Sequence, residues 1–302
     1  MTATAMAGGR PTGGRMRRRV NRAVLHFFLI VLALIFMFPL LYAVYMSLRP
    51  YGEISLSPTG PFSLPTTLNF DNYTFVINNS NMFHFFWNTV VITVPAVILT
   101  LWVSSMTAFA ISKYSWKLNL LVLMIFAAGN LLPPQVIVLP LVKLYNLIPL
   151  FGPLSDNGLL FDQVVGVVLI HVTFQTGFCT FVLSNYMKTL PKELTEASMI
   201  DGAGAFTIYR RVILPLCTPA IAALATLLTV WIYNDFFWSL FLFTSGAKRP
   251  ITAALNNLSG EYVSNMSQIA AISVIVAIPT VVMYLILQRW FVRGLTLGTA
   301  KG

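Results

Sequence analysis

The chain has 302 residues, of which 57% are hydrophobic and 9% charged, with a mean hydropathy of +0.78 and a net charge of +10. Soluble domains are roughly 25% charged, so this composition excludes an ordinary water-soluble enzyme, a disordered chain and a nucleic-acid-binding protein. The apolar residues gather in six runs, each long enough to cross a hydrocarbon core of roughly 30 Å, which takes about 20 helical residues. The two cysteines, Cys179 and Cys217, fit neither a disulfide framework nor a metal site.

The first run, about residues 23–47, follows Arg10, Arg15, Arg17, Arg18, Arg19 and Arg22. A basic start before an apolar run also describes a secretory signal. This run exceeds an h-region of roughly 7–15 residues, and no small-x-small cleavage site follows it. It reads as a retained transmembrane helix. The other runs cover about 85–112, 119–142, 164–187, 219–244 and 269–292. With the N-terminus in the cytoplasm, fifteen Lys and Arg residues fall in inside segments. Only Arg49, Lys143, Lys248 and Arg249 fall outside. This positive-inside bias predicts six spans with both termini inside. Most of the net charge is thus a record of topology. The inside acidic residues, Glu193, Glu196 and Asp201, all lie in one loop.

The first outer loop, about 48–84, is rich in Pro, Gly, Ser and Asn. The second, about 143–163, carries Pro149, Gly152, Pro153 and Gly158, which are turn residues. No phosphate-cradling G-x-x-x-x-G-K-[ST] occurs, nor H-E-x-x-H, C-x-x-C or G-x-S-x-G. No catalytic or metal-ligating residue is therefore assigned. His171, inside the fourth run, either lines a pathway or bonds a neighbouring helix, the latter being the simpler reading.

The cytoplasmic loop at 188–218 differs from the others. Pro191 breaks or restarts the helix after the fourth run. In residues 192–200, Leu194, Ala197, Met199 and Ile200 fall on or near one helical face. Asp201-Gly202-Ala203-Gly204-Ala205 signals a turn. A second helical stretch at 206–214 mixes Phe206, Tyr209, Val212 and Ile213 with Arg210 and Arg211, and Pro215 is expected to end it. Two short amphipathic helices meeting at a glycine turn either lie on lipid or dock into a partner.

Glu196-Ala197-Ser198, Gly202, Val212 and Leu214-Pro215, separated by three, nine and one residues, match the spacing of the EAA motif. That motif (E-A-A, three, G, nine, I, one, L-P) marks membrane subunits of binding-protein-dependent ABC importers. Ser198 stands for Ala, and Val212 for Ile. Leu132-Pro133-Pro134-Gln135-Val136-Ile137-Val138-Leu139-Pro140-Leu141 resembles the third-span region of the carbohydrate-importer permeases. Leu190-Pro191-Lys192-Glu193-Leu194 resembles their approach to the motif. Asn234-Asp235-Phe236 near Trp231 is similar to their fifth-span W-N-[DE]-F, with Tyr233 where the Trp usually stands. The ending, Arg293 to Gly302, is similar to the tail of the maltose-importer G-type subunit.

The resemblance implies an all-α membrane permease subunit with six transmembrane helices and no bond chemistry of its own. It implies a coupling helix at 196–200 seated in a cleft of an ATP-binding subunit. Glu196 would offer an acidic contact and Gly202 would permit the turn. Ala197, Ser198, Ile200, Asp201, Ala203, Leu214 and Pro215 complete the ATPase-coupling set. ATP and Mg would be held by two partner ATPase subunits and no cofactor by this chain. A second permease would complete a heterodimer, and an extracytoplasmic solute-binding protein would deliver a carbohydrate or related polyol. The site would be a bacterial or archaeal plasma (inner) membrane. Segment 1–22 is then a basic cytoplasmic start, 23–292 the permease domain, and 293–302 a cytoplasmic tail. The alternative, an ATPase-independent secondary transporter or channel, leaves the motif spacing unexplained and predicts more buried charge than Asp235.

Asp235 is the acidic residue inside a run, and such groups face a bundle interior or a water-filled cavity. Tyr233, Asn234, Asp235 and Trp238 provide hydrogen-bonding groups beside aromatic faces, which suits sugar contact. The competing reading has Asn234 and Asp235 bonded to neighbouring helices or to the partner permease. Asn130 and the Pro133-Pro134 pair lie in the middle of the third run, where a helix break lines a pathway or merely kinks. Ser104/Ala108 and Ser273/Ala277 read as helix-packing faces.

Overall fold

The structure, a computed structural model, describes residues 13–50, 52, 67–114, 116–255 and 266–296. The start up to residue 12, residues 53–66 of the first outer loop and the tail from residue 297 lie outside the described residues. In chain order the helices are α1 (Gly13–Ser47), α2 (Asp71–Asn79), α3 (Met82–Lys113), α4 (Asn119–Leu131), α5 (Pro134–Tyr145) and α6 (Val164–Lys188). Then follow α7 (Glu193–Ile200), α8 (Ala205–Ile208), α9 (Leu214–Leu216), α10 (Thr218–Tyr233), α11 (Phe237–Leu242) and α12 (Met266–Thr296). The strand-like feature among the described residues is a single bridge between Pro149 and Leu159.

Within α1, α3, α6 and α12 the chain is long and apolar enough to cross a membrane unaided. The third and fifth runs differ from simple expectation. The third is split into α4 and α5, bent by 100° at Leu132 and Pro133. Pro133 has an extended backbone and Pro134 opens the next helix, as a ring without an N–H requires. The fifth run also does not continue to its end as one helix. It stops at Tyr233, and α11 starts afresh at Phe237. The described residues hold four apolar helices long enough to span, or up to six spans if two bent pairs, α4 with α5 and Ala205–Leu216 with α10, each count as one.

The bundle is organised around α6. Its main partner is α3, where Ser104 and Ala108 are wholly buried as the small-residue spacing predicts. The Ser104 hydroxyl donates to the Thr100 carbonyl at 2.6 Å, so this polar group needs nothing from the neighbouring helix. Of the second small-residue pair, Ser273 and Ala277 are only half-buried. Helix α4 reaches α6 at Gly177, where the backbones come unusually close. A Cβ at Gly177 would sit 2.3 Å from the Phe126 carbonyl oxygen and 2.2 Å from Asn130 Nδ2. A second small core joins α2, the start of α3, residues 251–254 and α12. By contrast, the most apolar stretch of α1 buries nothing within this chain.

Short α2 secures the end of α1. The amide of buried Asn72 donates to the carbonyls of Ser47 at 2.9 Å and Arg49 at 3.0 Å, where the helix has ended. Tyr73 adds a hydroxyl contact to Ser47 at 2.5 Å. Asn72→Ala removes two buried hydrogen bonds and is expected to cost about 1–3 kcal/mol. Thermal unfolding of the purified protein in detergent checks this. An unchanged midpoint would show that the pair of bonds contributes nothing.

Candidate functional site

The loop at 188–218 is built on the end of α6. The Leu190 carbonyl accepts a hydrogen bond from Lys113 Nζ at 3.5 Å, tying the exit of α6 to the end of α3. Pro191 precedes α7 and terminates the previous helix by lacking a donor. Helix α7 carries Glu193 and Glu196 in its first turn, where carboxylates suit the positive end of the helix dipole. Thr195 is its buried residue. Glu196 and Ala197 are exposed, and Ser198 is half-buried with its hydroxyl donated to Leu194 O at 2.7 Å. That internal bond explains how a serine fits a position where the motif has alanine. Ile200, at the tip, is 87% exposed, an unusual placement for a branched apolar side chain.

The tip is closed by a Schellman turn. The Ala203 N–H donates to Ser198 O at 3.0 Å, and the Gly202 N–H donates to Met199 O at 3.0 Å. Gly202 has φ +78°, a left-handed conformation that costs other residues roughly 1–2 kcal/mol. Asp201 is exposed beside it, and Ala203 packs partly against the main core. The motif glycine is thus a helix stop.

From Ala205 the chain re-enters the bundle. Helix α8 passes into a π-turn at Tyr209–Ile213, in which the Leu214 N–H reaches back five residues to Tyr209 O. Pro215, expected to end this stretch, lies inside it instead, in α9. A widened turn relieves the clash between a proline ring and the carbonyl four residues earlier. The break comes two residues later at Cys217, where the segment Ala205–Leu216 meets α10 at 74°. Leu214 is half-buried and Pro215 exposed. Ile208, Tyr209 and Ile213 are buried. The Tyr209 hydroxyl lies 2.8 Å from Ser105 Oγ of α3, and its ring lies 5.5 Å from that of Phe109. The exposed tip is therefore joined to α3 and α10 through packed side chains.

The residues proposed for a solute path separate into two kinds. Tyr233 is buried and donates its hydroxyl to Val276 O of α12 at 3.3 Å. Trp238 is buried edge-on to Phe174, with centroids 5.7 Å apart. Asn130 donates to Phe126 O at 3.0 Å and sits against Gly177, so it packs α4 on α6. Asp235 caps α11. Its carboxylate accepts from the N–H groups of Trp238 at 3.3 Å and Ser239 at 3.2 Å, and from the Ser239 hydroxyl at 3.1 Å. Asn234 is exposed, and its Oδ1 accepts from Thr280 of α12 at 3.3 Å.

Three residues of this region were not singled out by their sequence pattern: Ser239, Thr252 and Thr280. Thr252 donates to Asp235 O at 2.6 Å. His171 Nε2, buried on α6, lies 3.6 Å from Asp235 Oδ2. Two ionisable groups inside apolar runs were the available hint that they meet. Asp235→Ala removes the start of α11 and is expected to lower the unfolding temperature by several degrees, whereas Asp235→Asn retains one acceptor and loses less. Equal losses for both would contradict the capping role.

At the other end of α6, Lys248 lies 2.6 Å from Asp156 and donates to Asp162 O at 2.9 Å. Asp162 Oδ1 accepts the backbone N–H groups of Thr244 and Ser245. His84 and Asn88 of α3 bond Ala247 O. This hub fixes the turn after α11 at the end of the bundle opposite α7.

The model of the family "binding-protein-dependent transport system inner membrane component" matches residues 100–297, which include α7, the glycine turn and α10. The chain belongs to this family. It is 29% identical over 285 residues to the arabinooligosaccharides transport system permease protein AraQ of Bacillus subtilis (strain 168), covering 94% of this chain and 97% of that protein. It is 30% identical over 282 residues to the probable starch degradation products transport system permease protein AmyC of Thermoanaerobacterium thermosulfurigenes, covering 93% and 98%. The fold is similar to that of a chain in the crystal structure of a bacterial ABC transporter for import of the acidic polysaccharide alginate. There the TM-score is 0.73 at 22% identity, over 94% of this chain and all of that one. Members of this permease family are the non-catalytic transport components of inner-membrane importers, so the chain is a multi-pass membrane protein.

Proposed function

We propose that this permease moves a carbohydrate (a mono-, di- or oligosaccharide, or a related polyol) into the cytoplasm as half of a transmembrane heterodimer. The six spans have both termini inside, and α7 is the coupling helix. Two ATPase subunits made elsewhere hold ATP and Mg. An extracytoplasmic binding protein delivers the solute. ATP-driven closure moves the ATPases as rigid bodies, and α7 transmits that motion to α3 and α10 by alternating access.

The observation that carries this reading is α7 itself. It pairs an exposed apolar tip, Ile200, with exposed Glu196 and a glycine-closed end, the last two at motif spacing. Helices of this kind seat in grooves of partners. Ala197, Ser198, Asp201 and Ala203 complete the seat, while Leu214 and Pro215 hold the segment that leads from it to α10. The carbohydrate class rests on what the relatives are named for. For the solute path, Asn234 at the break before α11 is the exposed polar candidate. Tyr233, Asp235, Trp238 and Asn130 support its walls.

Copurification tests the coupling role. Glu196→Lys and Gly202→Pro are each expected to abolish association with the ATPase subunits while leaving the second permease bound. Retained ATPase in both variants would remove α7 from the interface. Ser198→Ala, which restores the motif residue, should keep association intact.

A further inference from the structure

Helix α7 meets the bundle chiefly through α8, which runs directly into the π-turn at Tyr209–Ile213. Such turns are frequent at functional sites. Tyr209 opens this one. Arg210 and Arg211 beside it are exposed, whereas Tyr209 is buried, with its ring 5.5 Å from that of Phe109 on α3 and 6.1 Å from that of Phe206 on α8. Its hydroxyl lies 2.8 Å from Oγ of Ser105, which is 2% exposed. The Ser105 hydroxyl donates its one proton to Trp102 O at 3.0 Å, so Tyr209 is the donor between the two. Among the described residues no other hydrogen bond runs from the stretch 205–233 to α3. Beside that bond the two sides part, leaving a groove of about 510 Å³ lined in part by Leu101, Trp102, Pro215 and Ile221.

We infer that Tyr209 is a positioning residue for coupling: its bond to Ser105 pins the π-turn to α3, so that a displacement of α7 carries α3 and α10 as one body. The inference rests on α7 being the coupling helix. Apolar packing is non-directional. It opposes the approach of α3 and the π-turn but does little to stop them sliding or parting. An alternating-access cycle needs a pull as well as a push, and beside the open groove packing alone would let α3 lag on one of the two strokes. A hydrogen bond fixes length and direction, and burial strengthens it. Tyrosine carries it on a stiff side chain whose ring packs on Phe109 and Phe206. Because Ser105 keeps Trp102 O as its acceptor, Tyr209→Phe removes the pin and leaves the Ser105 proton satisfied.

The test uses the full transporter complex in nanodiscs, with nitroxide labels on Ile98→Cys of α3 and Thr207→Cys of α8, both exposed positions. Cys179 and Cys217 are wholly buried and do not take the label. Pulsed electron–electron resonance reads the α3–α8 distance without nucleotide and with the ATPases trapped by ADP and vanadate. With Tyr209 in place the distance is expected to be the same in both states. In Tyr209→Phe it should shift between them. Ser105→Ala, which removes the acceptor, should give the same shift, and the double variant no more than either alone. Both single variants should keep the ATPase subunits bound, while stimulation of ATP hydrolysis by the binding protein falls about tenfold. A distance that ignores nucleotide in all the variants would overturn the proposal, even if Tm falls, because the bond would then be packing alone. So would a distance that already shifts with Tyr209 and Ser105 intact. The reading of α7 fails separately, through ATPase retained by Glu196→Lys and Gly202→Pro, whatever the distances show.

Discussion

Gly177→Val is expected to destabilise the protein more than any other single substitution considered for its core. The α4 backbone crosses α6 so closely that the first added carbon meets the Phe126 carbonyl and the Asn130 amide well inside contact distance. Backbone cannot swing away as a flexible side chain can. The helices must separate, and with them the packing of Asn130 on α6. Overpacking of this kind costs about 1–3 kcal/mol, and a backbone obstacle puts this case at the upper end. Gly129→Ala provides the control, because a Cβ there meets nothing within 4 Å. It should be neutral or slightly stabilising, since alanine favours the helix. Unfolding midpoints of the two purified variants check the pair. Equal midpoints would mean that α4 can move off α6 at no cost.

The second large effect concerns function and leaves folding untouched. Ile200 is 87% exposed, so Ile200→Asp removes little packing within this chain. If the tip fills a pocket of the ATPase, the change puts a charge in an apolar socket. A buried apolar anchor at an interface is worth about 2 kcal/mol or more, roughly thirtyfold in affinity. ATPase binding, measured by titrating the purified ATPase onto the permease pair, should fall by about that factor at unchanged Tm. Ile200→Leu should retain binding. Unchanged affinity for Ile200→Asp would leave the exposed tip without a partner on the ATPase.

The helical architecture was legible because the bilayer imposes one rule on sequence: long apolar runs that satisfy their own backbone. Four of the runs obey it as continuous helices. The two that break do so at Pro133-Pro134 and at Asn234-Asp235. Pro133-Pro134 announced theirs through missing donors. The break at Asn234-Asp235 was not visible as such, because an aspartate in an apolar run reads equally as a pathway group or a bonded one. Only the three-dimensional fold reveals that its carboxylate faces the N–H groups of α11. Pro215 misled for the opposite reason. A preceding π-turn accommodates it, and no local pattern distinguishes a π-turn from an α-turn. The glycine turn of the motif loop was legible, since Gly202 has the positive φ that its place after α7 requires. The burial of Tyr233 and Trp238 was not legible, because aromatic residues beside polar ones serve cores and binding sites alike.

The most direct test of the account is transport by the complete complex in proteoliposomes. The two permeases, the ATPase pair and the solute-binding protein would be combined with a labelled oligosaccharide, with ATP supplied on the ATPase side. The account predicts accumulation that requires ATP and the binding protein, and that fails when Glu196→Lys is introduced. Equal uptake without ATP or without the ATPase subunits would contradict it and would favour a secondary transporter or channel.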